Sequence, residues 1–261
     1  VSATSSGTSR RPRSVRRRAG RATTAVTACA GLALALTACG GSDDPDAGTN
    51  GVGKLSAAKI QQKTVAAAES ANSVHVTGKL VSGRSTYELD MQLAQNGGKG
   101  TVGTKDTEFS LLRIDRSLWV KADADFWAHQ KDAAPSKSDN AAAAKLDGKY
   151  VKVPAEDRTY KQFSGFTEKE SLLETLLSLH GSLSRGAHGE LDGTRTIRIA
   201  AAQGNGGTLD VSLKGEPYPL RLQRAGGAGV VRFADWGTHI SLERPADNQV
   251  VDYGENLGSG N

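Results

Sequence analysis

VHVTGKL (Val74–Leu80) and YELDMQL (Tyr87–Leu93) share one pattern. Val74, Val76, Gly78 and Leu80 alternate with His75, Thr77 and Lys79, and Tyr87, Leu89, Met91 and Leu93 alternate with Glu88, Asp90 and Gln92. A period of two puts the apolar residues on one face of a strand and the polar ones on the other. Such strands belong to an antiparallel sheet that is solvated on one side. Downstream, Lys99–Gly103, Thr107–Ile114 and Ser117–Lys121 continue the pattern, joined by short turns such as QNGGKG and DRS, so a meander is expected.

Around this meander the period changes. Upstream, Ser56 stands where a helix cap belongs, before a helix expected from Ala57 to about Asn72 with Ile60, Val65, Ala68 and Ala71 near one face. From Phe126 to His180 the patterns are again helical, with a polar, Ala-rich piece at Pro135–Lys145. The clearest helix is EKESLLETLLSLH (Glu168–His180), in which Leu172, Leu173, Leu176, Leu177 and Leu179 make a broad apolar stripe. Strands resume at Arg195–Ala201, Gly207–Leu213, Pro219–Arg224, Val230–Ala234 and His239–Glu243. The order predicts an α+β fold: one antiparallel sheet of about ten strands with helices packed on one face. A single domain over 55–253 and a polar tail over 254–261 account for the spacing.

The formal charge of +5 is misleading about partners. Seven arginines (Arg10, Arg11, Arg13, Arg16, Arg17, Arg18 and Arg21) precede Cys39, and no acid does. From Cys39 onward 26 basic residues face 28 acidic ones, so the basic character belongs to the leader and a nucleic-acid partner is not expected. An apolar stretch from about Ala22 to Leu36 follows the arginines. It is shorter than the roughly 20 residues of a bilayer span and has the length of a secretory signal's apolar region. Leu36-Thr37-Ala38-Cys39-Gly40 resembles the bacterial lipobox, which implies cleavage before Cys39 and a diacylglycerol on its sulfur. A core element would not sit between a polyarginine run and GGSDDPDAGTNGVG. Residues 1–38 are therefore expected to be a lipoprotein signal peptide and 39–54 a flexible tether. Cys29 leaves with the leader, so the mature chain has neither a disulfide nor a cysteine metal site.

Motifs that imitate chemistry have plainer readings. GKGTVG (Gly98–Gly103) fits GxGxxG, but the dinucleotide reading needs a helix opening on the last glycine, and here a strand begins. His75, His129, His180, His188 and His239 lack metal-ligand spacing, and His75 and His239 fall on polar strand positions. Asp123, Asp125 and Asp132 read as a solvated loop face. No residue stands out as a nucleophile or general base, and no cofactor is expected.

Several phrases in order resemble the mycobacterial LppX/LprA/LprF/LprG lipoprotein family, whose fold is similar to LolA and LolB. They are SANSVHVTGKL (Ser70–Leu80), IDRSLWVKADADFW (Ile114–Trp127), LDGTRTIRI (Leu191–Ile199) and the Phe233–Trp236–Gly237–Ile240–Pro245 pattern near the end. The resemblance implies a strongly curved half-barrel with helices across its concave side, enclosing an apolar cavity for the acyl chains of a lipid or glycolipid. Tyr87, Leu89, Met91, Leu93, Phe109 and Leu111 are the candidate lining on the sheet. Leu172, Leu173, Leu176 and Leu177 are the candidates on the helix. The other reading of these residues is a filled core in a surface-anchored interaction or sensor module. A monomer held at the extracytoplasmic face of the cell membrane through Cys39 is expected. The polar insert over 131–165 departs from the resemblance, so ligand size does not carry over.

Overall fold

The computed structural model describes residues 44–83, 85–129 and 135–252. The lipobox residues Leu36, Thr37, Ala38, Cys39 and Gly40, Asp132 and the tail 254–261 lie outside them. Helix α1 (Ala57–Ser70) turns Ile60, Thr64, Ala67 and Ala68 inward, so its buried face takes in Thr64 while Val65 is half-buried. The Ser56 side chain caps no amide.

Strands β1 (Ser73–Ser82), β2 (Ser85–Ala94), β3 (Gly97–Gly103), β4 (Glu108–Ile114) and β5 (Ser117–Ala122) form the expected meander, each antiparallel to the next. Then come α2 (Ala124–Ala128), α3 (Lys137–Leu146), β6 (Tyr150–Val153), α4 (Arg158–Thr167) and α5 (Lys169–Leu177). Strands β7 (Leu183–Leu191), β8 (Thr194–Ala201), β9 (Thr208–Ser212), β10 (Pro219–Gln223) and β11 (Gly229–Ala234) follow, and β12 (Val250–Asp252) closes the order. All lie in one unclosed 12-stranded sheet, ordered β12-β6-β5-β4-β3-β2-β1-β11-β10-β9-β8-β7.

The sheet exceeds the expected ten strands and is mixed, because β12 runs parallel to β6. Three strands are additional. β6 is four residues inside a helical insert, β12 is three residues, and the edge strand β7 is exposed along its middle and so carries no apolar alternation. One expected strand is absent: 239–243 pairs with nothing as a strand, and His239 lies exposed in a connecting segment. Its alternating Ile240 and Leu242 reflect a half-buried segment crossing the sheet's outer face.

Curvature comes from glycines on the concave face. Gly78 sits at φ 140°, and a Cβ there would lie 2.1 Å from the Val230 carbonyl oxygen on the neighbouring strand. At Gly100, φ 156°, a Cβ would lie 2.0 Å from the Asp90 carbonyl oxygen. Here the backbone approaches too closely for any side chain, which is the mark of a tight bend in a sheet. The glycines of GKGTVG are thus part of a bent strand, as the turn-and-strand reading of that motif anticipates.

One cross-strand row runs over the outer face through Arg198, Asp210, Arg221, Arg232, Thr77, Asp90, Thr101, Ser110, Lys121 and Tyr150. Every member is polar, which fixes this face as the solvated one. The concave face carries the core, where Val74, Val76, Leu89, Met91, Leu93, Ile197, Ile199, Leu209 and Val231 meet the helices. Fully burying a side chain of this size stabilises by about 1.5–3 kcal/mol.

The stretch 39–54, expected to be a flexible tether, behaves differently where it is described. Residues 44–54 are hydrogen-bonded to the β7–β9 end of the sheet, and Val52 is buried in the core. The composition is that of a linker, but backbone and side-chain partners on the sheet hold it.

Candidate functional site

The concave face and the helices above it form the candidate site. From β2, alternation sends Leu89, Met91 and Leu93 inward; from β4 it sends Phe109 and Leu111. α5 presents Leu172, Leu173, Leu176 and Leu177 to the same interior, because positions three and four apart share a helix face. All of these side chains are at or below 6 % exposure and belong to one continuous apolar cluster. Tyr87 stands at its margin, half-buried, with its ring 6.1 Å from that of Phe166.

α5 approaches α1 and α4 more closely than it approaches any strand, whereas α1 and α4 both seat directly on the sheet. Its leucines join the same buried cluster as Met91 and its neighbours. The sequence reading missed the aromatic wall beside them. Phe109 packs on Phe126 of α2 at 5.1 Å and on Phe163 of α4 at 4.9 Å, and Phe126 meets Trp127 edge-on at 5.1 Å. The signal was the spacing Tyr160, Phe163, Phe166 in an insert whose overall polarity concealed it.

Two polar atoms within this region are buried without a hydrogen-bond partner among the described residues: the Thr64 hydroxyl and the Trp127 indole N–H. An unpaired buried polar group costs about 1–3 kcal/mol, so orphans in an otherwise apolar interior mark places where a ligand's polar atom or a water would be favoured.

Two cations close the end of this interior. Arg113 continues the inward row of Phe109 and Leu111, and donates to the Thr167 carbonyl at 3.1 Å, the Thr167 hydroxyl at 3.2 Å and the Asp115 carbonyl at 2.6 Å. Lys169, 3 % exposed, donates to the carbonyls of Ala68 at 3.3 Å and Glu69 at 2.8 Å. Each thus supplies positive charge where α4 or α1 ends, the favourable sign for a helix C-terminus. Burial pushes the Lys169 ammonium below its usual range, against the opposing pull of Glu170 and Glu69.

A second concavity of about 590 Å³ lies on the outer face, bordered by Asp90, Gln92, Lys99, Thr101, Ser110 and Tyr150, with Ser241 and Glu243 on its rim. It offers hydrogen-bonding groups beside an apolar wall that includes Leu112. Beside it His75 lies between Asp90 at 2.7 Å and Asp235 at 3.4 Å. Asp123, expected in a solvated acidic loop, accepts from the Phe126 amide at 2.8 Å as the cap of α2. Among the described residues no group of three or more His, Cys, Asp or Glu is placed to hold a metal ion, and no helix is long and apolar enough to cross a membrane.

No protein-family model matches the chain, and no curated protein matches it. Solved structures do. The chain is similar to LprF and to LppX. LprF from Mycobacterium bovis is 14 % identical, with a TM-score of 0.47 over 73 % of this chain and 97 % of that one. The Mycobacterium tuberculosis lipoprotein LppX is 15 % identical, with a TM-score of 0.41 over 71 % and 97 %. An uncharacterized conserved protein from Thermus thermophilus is 13 % identical, with a TM-score of 0.34 over 75 % and 98 %. LprF and LppX both belong to the group that the sequence resembles.

Proposed function

We propose that this chain is a cell-envelope lipoprotein, anchored through a diacylglycerol on Cys39, that takes acyl chains of a lipid or glycolipid between its helices and its concave sheet. The observation that carries the reading is the interior itself. Four leucines of α5 and the apolar row of β2 and β4 form one continuous buried apolar cluster under the helices, with an orphan buried hydroxyl at Thr64. A free acyl chain pays about 0.8 kcal/mol per CH₂ exposed to water. An apolar slot held near the membrane removes most of that cost, with no covalent step and no cofactor.

Mass spectrometry of lipid extracted from the native, full-length protein tests this. Bound acyl lipid is expected, and Leu176→Trp, which adds bulk between α5 and the sheet, is expected to lower its recovery at least about fivefold while the protein stays folded. Native protein without lipid would refute the proposal. The second reading, a filled-core interaction module, is favoured by the near-complete burial of the same leucines. It predicts no lipid in either protein and a destabilised Leu176→Trp variant.

A further inference from the structure

Residues 44–54 have the composition of a leash and the contacts of a structural element. Asn50 donates its backbone N–H to the Leu213 carbonyl at 2.9 Å and its side-chain amide to the carbonyls of Ser212 and Gly215, both at 3.0 Å. Arg185 donates to the Gly53 carbonyl at 2.8 Å, and Arg195 to that of Ala47 at 2.9 Å. His188 meets Asp46, whose side chain is 8 % exposed, at 3.0 Å. Lys54 and Asp44 pair at 2.7 Å. A Cβ on Gly53 would fall 1.9 Å from an Asp46 carboxylate oxygen, so a side chain there would displace the carboxylate that meets His188. These ties are spread over β7, β8 and the turn after β9, and they come from side chains far apart in sequence.

We infer that residues 44–54 are a clasp, and that the clasp makes the β7–β9 end of the domain the surface that faces the lipid bilayer. The inference rests on the lipidation of Cys39 proposed above. With the clasp closed, only residues 39–43 separate the anchor from the folded domain. Fully extended at about 3.3–3.6 Å per residue, they reach at most roughly 17 Å, about a third of what a free 39–54 segment would reach. Asp44, Lys54 and the turn holding Lys214 are therefore kept close to the headgroups. The edge formed by β6 and β12 stands at the opposite end of the strand order. A longer tether would let the domain tumble and present any face; a short one selects an orientation.

On the same reading the leader carries away Cys29 and Cys39 is lipidated, so one introduced cysteine gives a unique dye site. Full-length lipidated protein carrying Lys214→Cys or Glu156→Cys is placed in phosphatidylglycerol–phosphatidylethanolamine vesicles containing a nitroxide headgroup quencher. Dye at 214 is expected to be quenched at least about threefold more than dye at 156, and Asn50→Ala with Arg195→Ala is expected to equalise the two by freeing the longer reach. Equal quenching without those substitutions overturns the orientation. Amide exchange at Asn50 judges the clasp separately. Slowing of at least about 100-fold relative to an unfolded chain supports it, and exchange at the unfolded rate overturns it. An unmodified Cys39 in the intact mass would refute the anchor and the orientation together, leaving the clasp to the exchange result.

Discussion

Asp210 is the residue on which the β8–β10 part of the outer face depends. Its side chain, 5 % exposed, accepts from Arg198 Nε at 2.7 Å and from Arg221 Nη2 at 2.7 Å, so one carboxylate holds two guanidiniums together across three strands. The hydrogen bond to Asp210 raises the Arg198 pKa above its usual value. Removing one partner of a buried pair strands the other charge, at a cost of about 3–5 kcal/mol. Because Arg198 and Arg221 keep partial access to water, Asp210→Asn is expected to cost somewhat less, about 2–4 kcal/mol, in urea unfolding. Lys169 gives a pH-dependent counterpart. The unfolded chain holds this proton up to about pH 10.5, whereas burial makes the native state release it earlier. As pH rises through that interval the unfolded state binds more protons, so the native state gains stability from this residue. Below the interval the cost of burying the charge is fully present. The urea midpoint of the native protein is therefore expected to rise relative to that of Lys169→Met as pH approaches 10.5. Parallel curves from about pH 7 upward would show that the ammonium is as well solvated folded as unfolded.

Among the elements, α5 is the one whose stability and function are opposed. It seats on α1 and α4, which themselves rest directly on the sheet. Local opening energies follow such support. Native-state hydrogen exchange is expected to release α5 amides before those of α1 and β1, and bound acyl lipid to slow α5 first; uniform exchange across the helices would place α5 in the rigid core. The leucine stripe that marks this helix was legible in the sequence because five leucines in thirteen residues leave no other period. The meander was legible for the same reason, since half-solvated strands alternate. β7 was not, because an edge strand exposed on both sides has no alternation to show, nor was β6, a four-residue strand among helices. The false strand at 239–243 failed in the opposite way. Ile240 and Leu242 alternate because the segment lies half-buried on another surface, and alternation alone does not distinguish pairing from packing. The tether misread has a related cause. Gly, Asp and Asn look like linker composition, but Asn50 ties the segment to the sheet and Gly53 leaves room for the Asp46 carboxylate.

Across the whole molecule, the connection from β11 to β12 joins the middle of the sheet to its far edge. Gly237 donates to the Ser73 carbonyl at 3.0 Å, Lys99 to that of Ser241 at 2.8 Å, and Lys149 to that of Asn248 at 3.4 Å. Between the ties at Lys99 and Lys149 the chain passes over β4 and β5. Here the outer face departs from its polar rule, because Leu112 and Trp119 point outward yet are buried, Trp119 to 3 % exposure. Pro245, midway along the segment, is buried as well. The strap thus covers an apolar pair that would otherwise be an exposed patch beside the unpaired edge of β6. Ending the chain after Asp235 removes both protections at once. The truncated protein is expected to lose about 2–4 kcal/mol, from the uncovered apolar area and the lost β12 pairing, and to self-associate through β6. In a Trp127→Phe, Trp236→Phe background only Trp119 reports, and its acrylamide quenching is expected to rise severalfold on truncation while β1–β5 stay folded. Unchanged quenching would mean that the strands alone bury Trp119, and the strap would then be only a route by which β12 reaches its place beside β6.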